Sequence, residues 1–338
     1  MVRLILGEVA KIVAPAVAVF VALFAAAMLL EPAARTEEIQ LDSARATASF
    51  LAVEPAYVAF RSSLLAGNDP AILLIGPSNV EVGLRPDQVA ALLPPGIRVH
   101  NLAVGGTNID GMGVAVDLAY AQRPPGSRDG LVFVLGLWHG EFLHSESNPM
   151  ATPLARQMMR FGLFRRSGDG FALAVRPQSF DLVVQALRPF FLLQNTLSSQ
   201  GAVMRWLQAQ GGEPAAPAVP PPPPPPPQED VPLPSVQFDG VVAIADKVAR
   251  GGGKLVLVDL PVNETVSSRD PRWARYQSAK LPMIVAVKAR GGAYVNMQDM
   301  NAAADFVDGT HPKPTTTTRW AARLVEGLKA ERVIPASR

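Results

Sequence analysis

Apolar residues cluster in five short runs, at residues 72–75, 99–102, 131–135, 254–260 and 293–295, each soon followed by Gly, Pro or Asn and then mostly by a helix-compatible stretch. Runs of this length, apolar on both faces, suit buried parallel strands. Strands separated by helical crossovers predict a twisted α/β sheet, with its ligand site beyond the carboxyl ends of the strands. Near the C-terminus Ala321, Leu324, Val325 and Leu328 recur at helical spacing and predict an amphipathic closing helix. A helix is also expected over residues 44–52, leading into the globular part.

Residues 12–30 form an uncharged apolar run. At about 1.5 Å per helical residue it can cross a hydrocarbon core of roughly 30 Å. Arg3 and Lys11 precede it, while Glu31, Glu37 and Glu38 follow with Arg35 among them, so the positive-inside bias favours a cytoplasmic N-terminus with the bulk outside. The expectation is a single-pass anchor in the inner (cytoplasmic) membrane, with the membrane engaged through this N-terminal helix and the rest on the periplasmic or extracellular side. A cleaved signal peptide, for which Ala25, Ala26 and Ala27 offer small residues, and a buried core helix are the competing readings.

Residues 150–235 interrupt the α/β pattern, first basic and apolar over 158–166 and 180–193, then ending in an unbroken proline tract at 220–227 within a Pro-rich linker at 214–234. Eight prolines exclude helix and central strand. As polyproline II the tract spans about 25 Å, a semi-rigid spacer or a docking site for a proline-reading partner. The expected organisation is therefore an anchor at 1–35, an α/β domain at 36–330 holding this insertion, and a tail at 331–338.

Charge narrows the partners. With 31 basic and 29 acidic residues the net is +2, and no segment interleaves Lys and Arg with aromatics as a nucleic-acid site does, so no nucleic acid is expected. The absence of cysteine excludes disulfides, thiol catalysis and thiolate metal sites.

Three segments carry candidate chemistry. The first run leads into Gly76-Pro77-Ser78-Asn79-Val80-Glu81-Val82-Gly83-Leu84-Arg85-Pro86, a serine between a strand and a helix, where backbone N–H groups can stabilise an oxyanion. Ser78 is there a candidate nucleophile; the plainer reading is a helix N-cap. The second run ends in Asn101-Leu102-Ala103-Val104-Gly105-Gly106-Thr107-Asn108, whose paired glycines let the backbone approach a ligand. Near the C-terminus comes Asp308-Gly309-Thr310-His311, in which the carboxylate can orient the imidazole as a base, or in which a loop histidine simply neighbours an aspartate.

In this order the segments resemble the SGNH hydrolase superfamily over residues 68–330, insertion excluded. The form Gly-x-Ser-x-x-x-x-Gly-Leu-x-Pro with Asn-Leu-x-x-Gly-Gly is similar to the membrane-anchored branch that includes the D-alanyl transfer protein of teichoic acids and the alginate O-acetylation proteins. The resemblance implies a three-layer flavodoxin-like fold with a central parallel sheet of about five strands. It implies Ser78 as nucleophile and oxyanion donor, Gly105 or Gly106 as a second donor, His311 as general base and Asp308 as its orienting carboxylate. It further implies a serine esterase or O-acyltransferase, with a cell-envelope polymer or acyl ester as substrate, a multi-pass membrane O-acyltransferase as partner, and no cofactor.

Two blocks depart from the pattern. Gly76-Pro77-Ser78 stands for Gly-Asp-Ser, and Gly136-Leu137-Trp138-His139 replaces Gly-x-Asn-Asp, removing the asparagine that would donate to the oxyanion. Asn79, Asn108, Trp138, His139 and Asn263 are the expected substrate contacts at the carboxyl edge. His139, Glu141 and His144 read better as rim residues than as metal ligands, since no second ligand cluster accompanies them. Arg272, Trp273, Arg275 and Tyr276 offer either a sugar- or polyanion-binding surface or an ordinary solvated helix. A catalytically inactive member of the fold, kept for polymer binding or complex assembly, is the alternative function.

Overall fold

A computed structural model describes residues 11, 13–22, 25, 65, 67–152, 154–156, 164–168, 170–174 and 233–334. Contacts divide the chain into residues 1–60 with 178–219, and residues 61–177 with 220–338. The expected helix at 44–52, the basic apolar stretch at 180–193, the proline tract and the tail from 335 lie outside the described residues. Of the expected membrane span, residues 13–22 are helical and exposed, and the remainder is largely outside the described residues. Among the described residues no helix is long and apolar enough to cross a membrane.

The second unit is built on five parallel strands: β1 (Ala71–Ile75), β2 (Arg98–Asn101), β3 (Leu131–Leu137), β6 (Lys254–Asp259) and β7 (Ala293–Asn296). Their order, β2-β1-β3-β6-β7, is the flavodoxin-like one. All five coincide with the apolar runs to within a residue or two. A separate antiparallel hairpin, β4 (Phe164–Ser167) and β5 (Gly170–Leu173), lies in the insertion, where the sequence pattern announced no strand.

Period-2 alternation splits the buried strand residues between two layers. Ile72, Leu74, Val134, Val256 and Val258 pack with Trp320, Leu324 and Leu328 of the closing helix α7 (Pro314–Ala330). Two short helices, α1 (Ser78–Gly83) and α2 (Pro86–Ala90), belong to this face through Val80, Leu84 and Val89. On the opposite face Phe133 meets Tyr120 of α3 (Ile109–Gln122) at 5.1 Å between ring centroids, and the Tyr120 hydroxyl donates to the Val248 carbonyl of α4 (Ser235–Arg250). A four-residue helix, α5 (Glu264–Ser267), and the long α6 (Pro271–Lys288) complete the set. The result is three layers, with the turns after β1, β2, β3 and β6 gathered at one edge of the sheet.

The predicted closing helix is present, and Ala321, Leu324, Val325 and Leu328 are its buried stripe. The reading of Arg272–Tyr276 as a surface holds only in part. Tyr276 is fully buried, its hydroxyl donating to Asp259, while Trp273 and Arg272 are half-buried.

Candidate active site

Close approach of backbone, rather than unusual dihedrals, sets the nucleophile turn. A Cβ on Gly76 would stand 2.3 Å from a Val80 methyl and 2.9 Å from the Gly136 carbonyl oxygen. Glycine at both positions lets Val80 sit flat on the strand ends, so that α1 begins at Ser78, immediately past β1. Asn101, at the end of β2, braces this helix from below. Its amide donates to the carbonyls of Val80, Glu81 and Leu84 at 3.4, 3.2 and 3.2 Å, and its oxygen accepts the Ala103 N–H at 2.9 Å. The Val80 carbonyl also accepts the Leu84 N–H at 3.0 Å, and the Asn101 amide serves the carbonyls of Glu81 and Leu84 at the end of α1 inside the core.

A narrow ladder carries the histidine. Phe306 bridges Pro312, the Val307 N–H donates to the His311 carbonyl at 2.9 Å, and the Lys313 N–H donates to the Asp305 carbonyl at 2.8 Å. Asp308 Oδ1 accepts the N–H groups of Thr310 and His311, both at 2.8 Å, and Oδ2 meets His311 Nδ1 at 2.7 Å. Burial works against ionisation of this carboxyl, yet the backbone donors and the ring hold it below the usual aspartate range. His311 Nε2 then lies 2.7 Å from Ser78 Oγ. With Nδ1–H directed at Asp308, Nε2 is the lone-pair nitrogen facing the hydroxyl, the arrangement of a nucleophile, its base and an orienting acid.

The remaining expected residues fall in varied places. Asn263 is half-buried; its oxygen caps the Thr265 N–H at 3.0 Å and its amide donates to the Asp308 carbonyl at 3.1 Å, tying the loop after β6 to the histidine turn. Asn108 caps α3 by accepting the Gly111 N–H at 3.1 Å. Asn79 is buried beside the nucleophile, its oxygen on the Val80 N–H and its amide nitrogen without a partner. Gly106 adopts a φ of +71°, the left-handed region that favours glycine.

Gly105, expected to offer a free N–H, instead donates it to Glu81 Oε2 at 2.9 Å. Glu81 is the residue at this site that sequence reasoning passed over. The available signal was an acidic residue one helical turn after the serine, on the same face. Burial pushes its carboxyl up, against the lowering effects of the Gly105 N–H and His311.

Past β3 the structure departs from a rim of polar ligands. His139 is buried, its Nε2 2.9 Å from Asp270 Oδ2, with Trp138 and Trp273 edge-on at 5.0 and 5.4 Å. Burial lowers the His139 pKa although Asp270 acts the other way. Glu141 is buried too; it accepts the Trp138 indole N–H at 2.7 Å, leaves its second oxygen unpartnered, and is pushed up to about 8 by burial. Trp138 is half-exposed and His144 exposed, so of the expected rim residues only His139 and Glu141 are withdrawn into the interior. Among the described residues no three His, Cys, Asp or Glu side chains converge as metal ligands.

A cavity of about 200 Å³ opens elsewhere, between α3, α4 and the hairpin, lined by Asp110, Val114, Met150, Phe171 and Lys247 among others and by none of Ser78, Asp308 or His311. The serine site itself is open, with Ser78 and His311 half-buried and Asp308 exposed.

Fold and site together define an α/β protein of flavodoxin-like strand order with a Ser–His–Asp relay at the carboxyl edge of its sheet. No family model matches the chain, and no curated protein matches it. Among solved structures, the crystal structure of TesA is similar at a TM-score of 0.40 and 14% identity, over 77% of this chain and 99% of that one.

Proposed function

We propose that this protein is a serine esterase or O-acyltransferase that works through an acyl-Ser78 intermediate. The observation that carries this reading is the unbroken line from Asp308 through His311 to Ser78 Oγ, two hydrogen-bonding distances of 2.7 Å joining residues 233 positions apart. His311 Nε2 takes the hydroxyl proton as Ser78 Oγ bonds to the acyl carbon. The same proton passes to the leaving alcohol or thiol when the ester or thioester bond breaks. Water or an acceptor hydroxyl then resolves the acyl-serine by the reverse proton path. Asp308 keeps the ring oriented and stabilises the imidazolium.

The finer reading follows the sequence resemblance. The acceptor or donor is a cell-envelope polysaccharide or similar acylated polymer, the domain faces the periplasm or exterior on an N-terminal anchor, and a multi-pass membrane O-acyltransferase supplies acyl groups. A fluorophosphonate probe tests the chemistry. The full chain in detergent is expected to be labelled at Ser78, with loss of labelling in Ser78→Ala and His311→Ala. Folded wild-type protein that stays unlabelled at neutral pH would overturn the proposal.

One observation favours a second reading, an inactive envelope protein kept for polymer binding or assembly. The residue in place of the third-block asparagine is Trp138, whose indole N–H is donated to Glu141 Oε1 at 2.7 Å, so that block offers no free side-chain oxyanion donor from this position. Turnover of p-nitrophenyl acetate that is unchanged in Ser78→Ala, with polymer binding intact, would decide for that alternative.

A further inference from the structure

Glu81 has no part in the proton relay, yet its carboxylate sits on a backbone donor that the proposed chemistry needs. A Cβ on Gly105 would stand 3.2 Å from Glu81 Oε2 and 3.7 Å from Ser78 Cβ, so the Gly105 N–H lies beside the nucleophile. An oxygen accepting that N–H at 2.9 Å, next to the serine, stands where an acyl oxygen gathers charge under attack. The third-block asparagine is missing and the Trp138 indole N–H in its place is given to Glu141, which makes the Gly105 donor harder to replace.

Resting on the acyl-serine reading, we propose that Glu81 is a specificity-determining latch. Its carboxylate holds the Gly105 N–H in the free protein and yields it to the acyl oxygen of the substrate; the displaced anion, still beside the acyl group, selects neutral or cationic acyl groups against anionic ones. The physical balance permits the exchange. Glu81 is held by a short helix, is half-buried, and loses solvation where it stands, which is why burial pushes its carboxyl up. The charged or titratable group facing it is His311, itself paired with Asp308. A flexible side chain in that position is displaced more readily than backbone. Its negative charge also opposes a second anion a few ångströms away.

Two measurements on the full chain in detergent test the latch together. Glu81→Ala frees the Gly105 N–H, and the second-order rate of fluorophosphonate labelling is expected to rise about tenfold, the size of one competing hydrogen bond to a charged acceptor. Glu81→Gln keeps the shape and an acceptor oxygen but removes the charge. It is expected to raise the ratio of mono-p-nitrophenyl succinate turnover to p-nitrophenyl acetate turnover by about tenfold. A residue that merely supported the loop would slow both esters alike and leave that ratio unmoved. Both shifts are required. Labelling of Glu81→Ala at or below the wild-type rate with an unchanged melting temperature, or an unchanged ester ratio in Glu81→Gln, overturns the latch while leaving the serine chemistry standing. Absence of labelling in the wild type removes the serine chemistry and the latch with it.

Discussion

At the scale of single residues, the carboxyl edge of the sheet holds two acids under opposite pressures. Asp308 is exposed and surrounded by donors that favour its charge, whereas Glu141 is 4% exposed with one oxygen unpartnered. The sign of its effect on stability follows from burial, which pushes its carboxyl in the folded protein up to about 8, well above the ordinary glutamate range. Folding therefore favours the protonated form. That contribution is fully present below the unfolded pKa, declines as the unfolded chain ionises, and is lost once the pH passes the folded pKa. Glu141→Gln keeps an acceptor for the Trp138 indole and never ionises. It is expected to melt close to wild type at pH 4 and increasingly above it between pH 5 and 8, by roughly 1–3 kcal/mol at the upper end. Thermal melts across that range check it; a difference that stays flat with pH would show that Glu141 remains charged in the folded protein.

At the scale of elements, the five strands were legible because apolar residues filled both faces of each run, and the closing helix because its apolar stripe kept helical spacing. The triad residues were legible for the same local reason: Ser78 directly follows a strand, and Asp308 and His311 share one turn. What the sequence concealed depends on contacts between distant segments. Asn101 reaches back to α1, Glu81 reaches forward to Gly105, and Asn263 reaches Asp308; none of these pairings has a spacing to announce it. His139 looked like a rim residue because its partner, Asp270, lies 131 positions away. The hairpin escaped because β4, Phe-Arg-Arg-Ser, is largely polar and exposed and carries no apolar run to mark it. Helix α1 also depends on a close approach, since a Cβ on Gly83 would come within 2.6 Å of the fully buried Trp320 ring and 3.0 Å of Pro312. Pro312 follows His311 directly, so a methyl there presses on the two elements that bring the base to the nucleophile. Gly83→Ala is expected to destabilise by about 1–3 kcal/mol and to slow fluorophosphonate labelling more than tenfold. Gly96→Ala, where nothing lies within 4 Å but φ is +92°, gives the control: strain without displacement of the triad, and labelling near the wild-type rate. Equal loss of labelling in both variants would argue that global stability, not the α1–α7 approach, sets the geometry.

At the scale of the whole molecule, the proposed chemistry needs a place to work, and the N-terminal sequence suggests one. The apolar run at 12–30 has basic residues before it and mostly acidic residues after it, and we propose on that charge pattern a span with its N-terminus in the cytoplasm. Removal of residues 1–35 is expected to release the protein from the membrane fraction while leaving Ser78 labelling intact, because β1 and everything that positions the triad lie beyond residue 70. A truncated chain that still sediments with membranes would place the attachment elsewhere. Orientation can be read cleanly because the chain contains no cysteine, so one introduced thiol is the only one. Glu326, on the outer face of α7 with a side chain 75% exposed, is far along the sequence from the triad and suited to that substitution. In Glu326→Cys, a membrane-impermeant maleimide applied outside the cytoplasmic membrane is expected to react without lysis. Reaction only after lysis would put the α/β domain in the cytoplasm, and an acceptor in the cell envelope would then have to be abandoned even if the serine chemistry stood.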